Sequence, residues 1–357
     1  MESVIFKKQA ACHPAMEPQD AVKMCFQAAF GVEHLLENRE AAREWFIKEY
    51  GQVQPRIEEA LTEDISEDFA RVNLGAWKAR QLPSEWLFGM FVETASAANT
   101  TYCSRELFER NIKIIGQLTA EGIFGFGEDT WEEYLRSYPV KEPVPVHHSE
   151  GYRRVEKPAY RLVGKQMCAL IPLLEVIHKK RQEQDKGKRG SFVIAIDGPC
   201  TSGKTTLAKC LAAVTGAGIV HMDDFFLPGE LRTEERLKEP GGNVHYERFL
   251  EEVYPFFKRG ENFSYRRFDC SRMALAEERS VGGNGFVIVE GSYSCHPKFG
   301  DYADVRVYTD VDPEEQLARI LKRDGTQALK VFRERWIPME EIYFKTYPIR
   351  AQADIEM

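Results

Sequence analysis

Gly198-Pro-Cys-Thr-Ser-Gly-Lys-Thr205 is the stretch that decides the fold of the second half of this chain. It matches the pattern Gly-x4-Gly-Lys-Ser/Thr in full. The apolar run at residues 192–196 predicts a buried strand before it, and residues 204–214 predict a helix after it. In that setting the backbone N–H groups of the loop and the helix N-terminus form a cradle for phosphate oxygens. The sequence therefore predicts a nucleotide site here, with a plain structural turn as the alternative.

The residues of this loop have separate predicted roles. The Lys204 ammonium reaches the β- and γ-phosphates of a nucleotide, and the Thr205 hydroxyl is a ligand for Mg²⁺. The Cys200 thiol occupies a variable position of the pattern, and we interpret it as tolerated there. The predicted nucleotide-binding residues are Gly198, Pro199, Cys200, Thr201, Ser202, Gly203, Lys204, Thr205 and Thr206.

A second motif, His221-Met-Asp-Asp-Phe-Phe-Leu-Pro228, lies at the end of a predicted strand. Parallel sheets bind their ligands at the carboxyl ends of the strands, which is where these two acids fall. Asp223 or Asp224 is suited to orient an acceptor hydroxyl and to take its proton. Phe225 and Phe226 either wall a flat substrate or belong to the core, and the sequence leaves both open.

A third acid, Glu290, ends the apolar run Val287-Ile-Val-Glu290. A carboxylate at the tip of a strand can hold Mg²⁺ directly or through water. A buried strand that ends in one acid is also common without any ligand. In combination with the loop and the aspartates, it favours a metal site made by Thr205, Asp223 and Glu290.

Strand and helix patterns alternate along the whole second half. Helices are predicted at 204–214, 246–258 and 313–323, the last with Asp312 as its N-cap and Pro313 in its first turn. Such alternation predicts an α/β fold with a doubly wound parallel sheet. The predicted strands are 192–196, 218–222, 263–268, 285–289 and 305–309.

The order of these motifs resembles the uridine kinase family, within the phosphoribulokinase and uridine kinase group of P-loop kinases. The resemblance covers residues 190–357, and the Asp-Asp-Phe-Phe segment is even more similar to nicotinamide riboside kinases. It implies a P-loop NTPase fold, the use of ATP and Mg²⁺, and phosphate transfer to a nucleoside or a nucleoside-like alcohol. The family's catalytic base is the first aspartate of the segment, which corresponds to Asp223.

Two family segments on the substrate side are changed in this sequence. Tyr265-Arg-Arg-Phe-Asp-Cys-Ser-Arg272 resembles a Tyr-x4-His-Ser-Arg segment, with Cys270 in place of the histidine. Asn243-Val-His245 resembles an Asn-Phe-Asp segment whose aspartate holds sugar hydroxyls, with His245 at that position. A non-nucleoside acceptor, such as a pantothenate-like or sugar-acid-like alcohol, therefore stays open. The substrate residues that the resemblance implies are Asp224, Phe226, His245, Tyr265 and Arg272.

The family also closes an arginine-rich lid over the phosphates. Residues 319–324, Arg-Ile-Leu-Lys-Arg-Asp, resemble the start of that lid. A lid excludes water and brings cations to the transferring charge. Arg323 is predicted to do this, with a solvated helix face as the alternative. The predicted catalytic residues are thus Asp223, Lys204 and Arg323.

The first half of the chain shows helical spacing instead, at residues 21–36, 84–97 and 105–120. Its only polar groups of interest are Phe30-Gly-Val-Glu-His34 and His147-His148-x-Glu150. Because adjacent histidines do not face one way on a helix, they make a poor metal pair, and we interpret both groups as structural. The predicted organisation is a mostly α-helical domain of unknown role over 1–180, a linker over 181–190 and a kinase domain over 191–357.

Composition narrows the classes of function. The net charge of -8 disfavours a general nucleic-acid-binding role, and no apolar run is long enough to span a membrane. The 8 cysteines are scattered without a Cys-x-x-Cys pair, and we expect no secretory signal, so the prediction is a cytoplasmic protein with reduced thiols. We expect a small-molecule hydroxyl substrate as partner and leave the oligomeric state open. The alternative from another class is a non-catalytic ATP-binding switch or adaptor.

Overall fold

The computed structural model describes residues 2–32, 38–101, 104–184 and 190–357, without the side chains of 97–101. The chain divides into two compact units, Met1–Ile171 and Pro172–Met357, which we call the N-terminal and C-terminal units. Part of the predicted linker, residues 185–189, lies outside the described residues. The domain limits drawn from the sequence therefore stay a prediction.

Helices make up most of the N-terminal unit, as predicted. Phe26 of α2 and Phe108 of α6 pack edge to face, with ring centroids 6.5 Å apart. The end of the helix predicted at 21–36, including His34, lies outside the described residues. The helices are α1 (Glu2–Cys12), α2 (Pro18–Phe30), α3 (Arg39–Gln52), α4 (Leu74–Ala79), α5 (Ser84–Thr101), α6 (Arg105–Ala120), α7 (Glu128–Ser137), α8 (Glu150–Glu156) and α9 (Lys165–Cys168).

The N-terminal unit also has a small antiparallel sheet that the sequence analysis did not predict. Its strands are β1 (Thr62–Asp64), β2 (Phe69–Asn73) and β3 (Tyr160–Gly164), in the order β1-β2-β3. The first four residues of β2 are all buried, so the strand lacks the alternation of apolar and polar residues that identifies a half-buried strand. Its partner β3 is about ninety residues away in sequence, with Phe69 opposite Gly164.

The C-terminal unit alternates strands and helices as predicted. Its helices are α10 (Ile171–Glu183), α11 (Lys204–Thr215), α12 (Glu234–Lys238), α13 (Tyr246–Glu252), α14 (Tyr254–Arg259), α15 (Pro313–Val331) and α16 (Ile337–Thr346). Its strands are β4 (Phe192–Asp197), β5 (Gly218–His221), β6 (Phe263–Asp269), β7 (Ala274–Val281), β8 (Phe286–Glu290), β9 (Val305–Tyr308) and β10 (Ile355–Glu356).

Five strands form a parallel sheet in the order β10-β9-β4-β8-β5. The strand before the glycine-rich loop, β4, lies in the middle, and all six of its residues are buried. In this register Ile196 is opposite Glu290, and His221 is opposite Glu290 on the other side. The carboxyl ends of β4, β8 and β5 therefore meet at one edge of the sheet, and the predicted P-loop NTPase architecture is confirmed.

The strand predicted at 263–268 exists, but the prediction that it joins the parallel sheet is wrong. It is β6, which pairs with β7 in a separate antiparallel hairpin. Along β6, Phe263, Tyr265 and Phe268 are buried, and Ser264 and Arg266 are exposed. Only one face of β6 is therefore buried, whereas strands of a covered parallel sheet are buried on both faces.

Two predicted helices have different limits from those expected. The helix at 246–258 is two helices, α13 and α14, which meet at Val253 just before Pro255. Asp312 caps α15 as predicted, because its carboxylate accepts hydrogen bonds from the backbone N–H groups of Glu314 and Glu315. The helix continues beyond 323, past a break at Gly325, into a π-helical turn at Phe332–Trp336 and then α16.

Candidate functional site

A cavity of about 780 Å³ opens at the carboxyl ends of β4, β5 and β8. The glycine-rich loop forms one wall, and residues of α15 and the π-helical turn form another. Of the predicted site residues, the cavity brings together Cys200, Thr201, Gly203, Lys204, Thr205, Thr206, Asp223, Phe226, Glu290 and Arg323. The structure thus collects three motifs that are up to ninety residues apart in sequence.

Backbone geometry holds the loop in its curled shape. Gly198 has a φ of 146°, and a Cβ atom there would lie 2.1 Å from the Thr309 carbonyl oxygen. Gly203 has a φ of 98° and precedes the first residue of α11. Only glycine adopts such angles without strain, which explains both glycines of the motif. The Lys204 ammonium is buried and donates to the carbonyl oxygens of Gly198 and Pro199, at 2.8 and 2.7 Å.

The fully buried carboxylate of Asp197, the last residue of β4, holds the glycine-rich loop by hydrogen bonds. It accepts hydrogen bonds from the Gly198 and Tyr293 backbone N–H groups at 2.7 and 3.0 Å. The Cys295 backbone N–H and the Tyr343 hydroxyl also donate to it, at 2.9 and 2.8 Å. Burial raises the pKa of Asp197 to about 6, although these donors favour the charged form. Asp197 therefore ties the glycine-rich loop to the segment after β8 and to α16.

Two of the three predicted metal ligands, Thr205 and Glu290, are in direct contact. The Thr205 hydroxyl donates to Glu290 Oε2 at 3.0 Å, and Glu290 Oε1 lies 2.5 Å from His221 Nδ1. Across the described parts of the chain, no group of three or more His, Cys, Asp and Glu side chains could hold a metal ion. Mg²⁺ does not need such a group, because it commonly binds one or two carboxylates together with water and substrate phosphates. The donor set fits Mg²⁺ that is shared with a nucleotide.

Asp223 lies in a short 3-10 turn directly after β5 and faces the cavity. Asp223 is an exposed residue, but the surrounding cavity wall reduces the hydration of its carboxylate. This loss of hydration raises the pKa of Asp223 to about 6, the negative charge of Glu290 adds to the increase, and Lys204 opposes it. Raised pKa values of this kind are typical of groups that exchange protons near neutral pH.

Asp224 is next in sequence, but it lies outside the lining of the cavity. Its carboxylate is buried, accepts from the Tyr265 hydroxyl at 2.9 Å and pairs with Arg279 at 3.1 Å. Tyr265 in turn accepts from the His221 backbone N–H at 3.2 Å. These contacts hold the hairpin of β6 and β7 against the end of β5. The substrate roles of Asp224 and Tyr265 remain predictions.

The other predicted substrate residues are also spread out. His245 is the half-buried N-cap of α13, and Arg272 is exposed in the turn of the hairpin. Neither lines the cavity, whereas their neighbours Asn243, Cys270 and Met273 do. Phe226 lines it as well and lies parallel to Trp336, with ring centroids 6.3 Å apart. Phe225 is fully buried and belongs to the core, whereas the substrate role of Phe226 stays a prediction.

Arg323 lines the cavity from α15 and donates through Nε to Asp324. This hydrogen bond raises the pKa of Arg323, and the more distant charge of Asp223 contributes. Arg319, one turn earlier, donates to the Thr201 carbonyl at 3.1 Å, and Gln316 donates to the Cys200 carbonyl at 3.1 Å. The helix that resembles the start of a lid is thus bound directly to the glycine-rich loop.

The sequence analysis missed several residues of the cavity. The buried Glu340 of α16 accepts from the Cys200 backbone N–H at 2.9 Å and from the Ser292 hydroxyl at 2.7 Å. Arg232 comes from the loop before α12, and Asn243 comes from the loop after it. Ser292 lies two residues after Glu290, and Asn243 begins the segment Asn243-Val-His245, so both were open to prediction. No local pattern marks Glu340 or Arg232.

A second cluster of ionisable residues lies inside the N-terminal unit. The His148 ring is buried, with Nδ1 2.7 Å from Asp20 and Nε2 2.7 Å from the Tyr160 hydroxyl. Gln27 donates to that hydroxyl at 3.3 Å and accepts from Arg71 at 3.3 Å. We call these five residues the Asp20 network. His147 is exposed, so the two adjacent histidines do face different ways.

Burial sets the charges of the Asp20 network. Burial lowers the pKa of His148 to about 4, although the hydrogen bond to Asp20 opposes this. Burial by itself would raise the pKa of Asp20, but hydrogen bonds from His148 and Ser149 outweigh it and lower the pKa. A neutral His148 therefore donates to Asp20 through Nδ1 and accepts from Tyr160 through Nε2.

Two further findings concern the described residues of both units. Among the described residues, no helix combines the length and the apolarity that a membrane span requires. The cysteines that the structure describes are free thiols, and Cys103 lies outside those residues.

Taken together, a central strand, the loop after it and a parallel sheet define the C-terminal unit as a P-loop nucleotide-binding fold. No family model matches the chain. It is 32% identical over 142 residues to a cytidylate kinase from Pyrobaculum arsenaticum, which covers 40% of this chain and 66% of that protein. It is 30% identical over 161 residues to a cytidylate kinase from Ignicoccus hospitalis, which covers 42% of this chain and 80% of that protein.

Among solved structures, a possible uridine kinase from Bacillus stearothermophilus matches 52% of this chain and 99% of its own length, with 20% identity and a TM-score of 0.38. The chain spans about two thirds of the length of the Pyrobaculum relative. The sequence relatives confirm the P-loop kinase predicted for the second half. The chain belongs, through its C-terminal unit, to the family of P-loop kinases that includes these cytidylate kinases.

Proposed function

We propose that the C-terminal unit is an ATP-dependent phosphotransferase that moves the γ-phosphate to a hydroxyl of a small molecule of the nucleoside class. One observation carries this proposal: Asp223 shares a cavity with the glycine-rich loop, and its pKa is raised to about 6. A proton acceptor beside a phosphate cradle is the pair of groups that phosphate transfer to an alcohol requires.

The glycine-rich loop is the proposed binding site for the ATP phosphates. Its backbone N–H groups and the N-terminus of α11 attract anions, and Lys204 is near enough to exchange its two carbonyl partners for phosphate oxygens. Thr205 and Glu290 would hold Mg²⁺, which neutralises charge on the phosphates when bound. Arg323 and Lys322 line the cavity on the side of α15 and add positive charge there.

In the proposed reaction, the acceptor hydroxyl gives its proton to Asp223 while its oxygen forms a bond to the γ-phosphorus. The bond between that phosphorus and the β,γ-bridging oxygen breaks, and ADP leaves. Lys204 and Arg323 stabilise the negative charge that spreads over the phosphoryl oxygens. Positioning and electrostatics supply the catalysis, as is general for phosphoryl transfer.

The acceptor end of the cavity suits a flat molecule. The rings of Phe226 and Trp336 lie nearly parallel, at an interplanar angle of 22°. Aromatic rings stack on planar groups such as nucleobases. This supports a nucleoside-like acceptor, in agreement with the resemblance of the sequence to uridine kinases.

The cytidylate kinase relatives favour a second candidate, in which the acceptor is the phosphate of a nucleoside monophosphate. The two candidates differ in the product. Transfer to a hydroxyl gives a new phosphate ester, whereas transfer to a monophosphate gives a nucleoside diphosphate.

The test is phosphate transfer from Mg·ATP to a panel of nucleosides, nucleoside monophosphates and small alcohols, with products identified by mass spectrometry. Lys204→Ala is the inactive reference, and Lys209→Ala is the matched control because Lys209 is an exposed lysine of the same helix. We expect product with the wild type and with Lys209→Ala only. ATP binding without any product would contradict the proposal and favour the ATP-binding switch.

A further inference from the structure

We infer that the acceptor carries a negatively charged group, a carboxylate or a phosphate, which Arg232 binds at the end of the cavity away from the ATP phosphates. This inference rests on the proposed function, because it concerns the acceptor of that same cavity. Three observations carry it: the unpaired charge of Arg232, its place in the wall of the cavity that Asp223 also lines, and a buried acceptor atom of Asn243 without a partner among the described residues.

Arg232 is half-buried and forms no ion pair with an acidic side chain among the described residues. It follows the 3-10 turn Gly229–Leu231, lines the cavity, and donates through Nε to the Leu227 carbonyl at 2.8 Å. None of the described carboxylates pairs with it. Its neighbour Arg236, by contrast, forms two hydrogen bonds to Glu247, at 3.0 and 3.1 Å. A guanidinium has five N–H donors, so Arg232 keeps its terminal nitrogens for another partner.

The surroundings of Arg232 disfavour an uncompensated positive charge. Partial burial lowers the pKa of Arg232, and the positive charge of Arg335 lowers it further. Arg335 comes from the π-helical turn beside Trp336, so two guanidinium groups from different segments act on the same region. Partly desolvated charges of one sign are stabilised by a counter-ion. A bound anion would remove this repulsion.

Arg232 comes from a different segment of the cavity wall than the phosphate cradle. It lines the cavity together with Asp223 and with Cys270, which lies at the turn of the hairpin. Arg319, Lys322 and Arg323 already line the other wall beside the glycine-rich loop. An anion at Arg232 is thus a second anion, distinct from the phosphates of ATP.

Asn243 supplies a hydrogen-bond acceptor in the same cavity. Its side chain is 3% exposed, and its Oδ1 has no hydrogen-bond partner among the described residues. Buried polar atoms without a partner are rare and are commonly satisfied by a ligand or water. An acceptor with hydroxyl groups would donate one to Asn243 and another to Asp223, while its anionic group reaches Arg232. The predicted class is therefore a hydroxylated carboxylic acid or phosphate ester.

The test compares neutral and anionic members of matched pairs as acceptors. Suitable pairs are pantothenol and pantothenate, glycerol and glycerate, ribose and ribose 5-phosphate, and uridine and uridine 5′-monophosphate. We expect the anionic member of the accepted pair to have a kcat/KM about 10 to 100 times higher, the effect of one charge-assisted interaction. The responding pair distinguishes a carboxylate from a phosphate, and a diphosphate product identifies the phosphate itself as the acceptor.

Variants then assign the preference to Arg232. Arg232→Gln is expected to raise the acceptor KM about 10- to 100-fold, to leave the ATP KM unchanged and to abolish the preference, with partial recovery in Arg232→Lys. Lys238→Gln is the control, because it removes an exposed lysine of the same segment that pairs with Glu234. The inference is overturned if the wild type prefers the neutral member of a pair. It is also overturned if Arg232→Gln leaves the acceptor KM unchanged.

A binding measurement separates this inference from the proposed reaction. Calorimetric titration of the same compounds, with a non-hydrolysable ATP analogue present, reports binding without turnover. Binding of anionic members to the wild type and its loss in Arg232→Gln would support the inference even if no product forms, in which case only the proposed reaction fails. Equal binding to both proteins, or no binding of any anionic member, would refute it.

Discussion

The cavity of the C-terminal unit and the Asp20 network of the N-terminal unit both contain buried ionisable side chains, but they are built differently. In the Asp20 network, Arg71 donates to Gln27, Gln27 to Tyr160, Tyr160 to His148, and His148 to Asp20. Each member thus has a partner within the network. In the cavity, loss of hydration raises the pKa of Asp223, and the negative charges of Glu290 and Glu340 raise it further.

This difference shows that burial of charged groups does not by itself identify a functional site. A closed hydrogen-bonded network stabilises one packing of the chain, and its shifted pKa values follow from burial. A cluster that repels itself beside an open cavity is stabilised when a cation or an anion binds there. The following experiments would break or sharpen this comparison.

The largest expected effect is on catalysis by the cavity. Asp223→Asn keeps the size of the side chain but removes the proton acceptor, so we expect kcat to fall by about 10² to 10⁴ while ATP binding persists. Steady-state kinetics and calorimetry measure the two quantities. The exposed Asp301 supplies the control, and Asp301→Asn should leave kcat unchanged. Full activity of Asp223→Asn would refute the proposed mechanism.

The pH dependence of the reaction tests the same residue. The pKa of Asp223 is raised to about 6, and only the ionised form accepts a proton. We therefore expect kcat/KM to be constant above about pH 7 and to decline as the pH falls through 6. A profile without this acidic limb between pH 5 and 7 would contradict the assignment of Asp223 as the base.

In the N-terminal unit the expected effect is on stability. His148→Ala leaves Asp20 and Tyr160 without their shared partner, and we expect it to lower the free energy of unfolding by about 1 to 3 kcal/mol. His147→Ala is a matched control at the exposed neighbouring position, where about 0.5 kcal/mol or less is expected. Urea denaturation followed by circular dichroism measures both. Equal effects of the two substitutions would show that the Asp20 network is not stabilising.

Acid should weaken the Asp20 network in a defined range. The pKa of His148 is about 4 in the folded chain and near the ordinary histidine value of 6.5 after unfolding, so the unfolded chain binds the extra proton first. The stability that neutral His148 contributes is complete above pH 6.5 and is lost as the pH falls towards 4. We expect a decrease on the order of 1 to 3 kcal/mol in urea titrations over this range. A similar decrease in His148→Gln would assign it to other groups.

The smallest effect is expected at Cys200. Burial raises the pKa of its thiol to about 12, so little thiolate forms at neutral pH. We expect Cys200→Ser to retain activity within about threefold, and iodoacetamide at pH 7.5 to label the exposed Cys12 well before Cys200. Mass spectrometry of the labelled peptides measures the order. Rapid labelling of Cys200 with loss of activity would instead make this thiol a functional group of the loop.

The sequence by itself determined the fold of the C-terminal unit and the centre of its cavity. The glycine-rich loop, Asp223 and Glu290 each follow an apolar strand, and parallel strands bring their carboxyl ends to one edge of the sheet. Local patterns therefore predict these positions, because the arrangement follows from strand direction alone. The helices of the N-terminal unit were predictable for a similar reason, since their spacing is a local property.

Only the tertiary structure decided which other side chains join them. It placed Asp224 against Tyr265 and Arg279, away from the cavity, and brought in Glu340 and Arg232, which no motif marks. It also paired β6 with β7 in a hairpin, and it joined Asp20 to His148 over 128 residues of sequence. These contacts depend on long-range packing and on which face of an element is covered, and neither is encoded in a local pattern of residues.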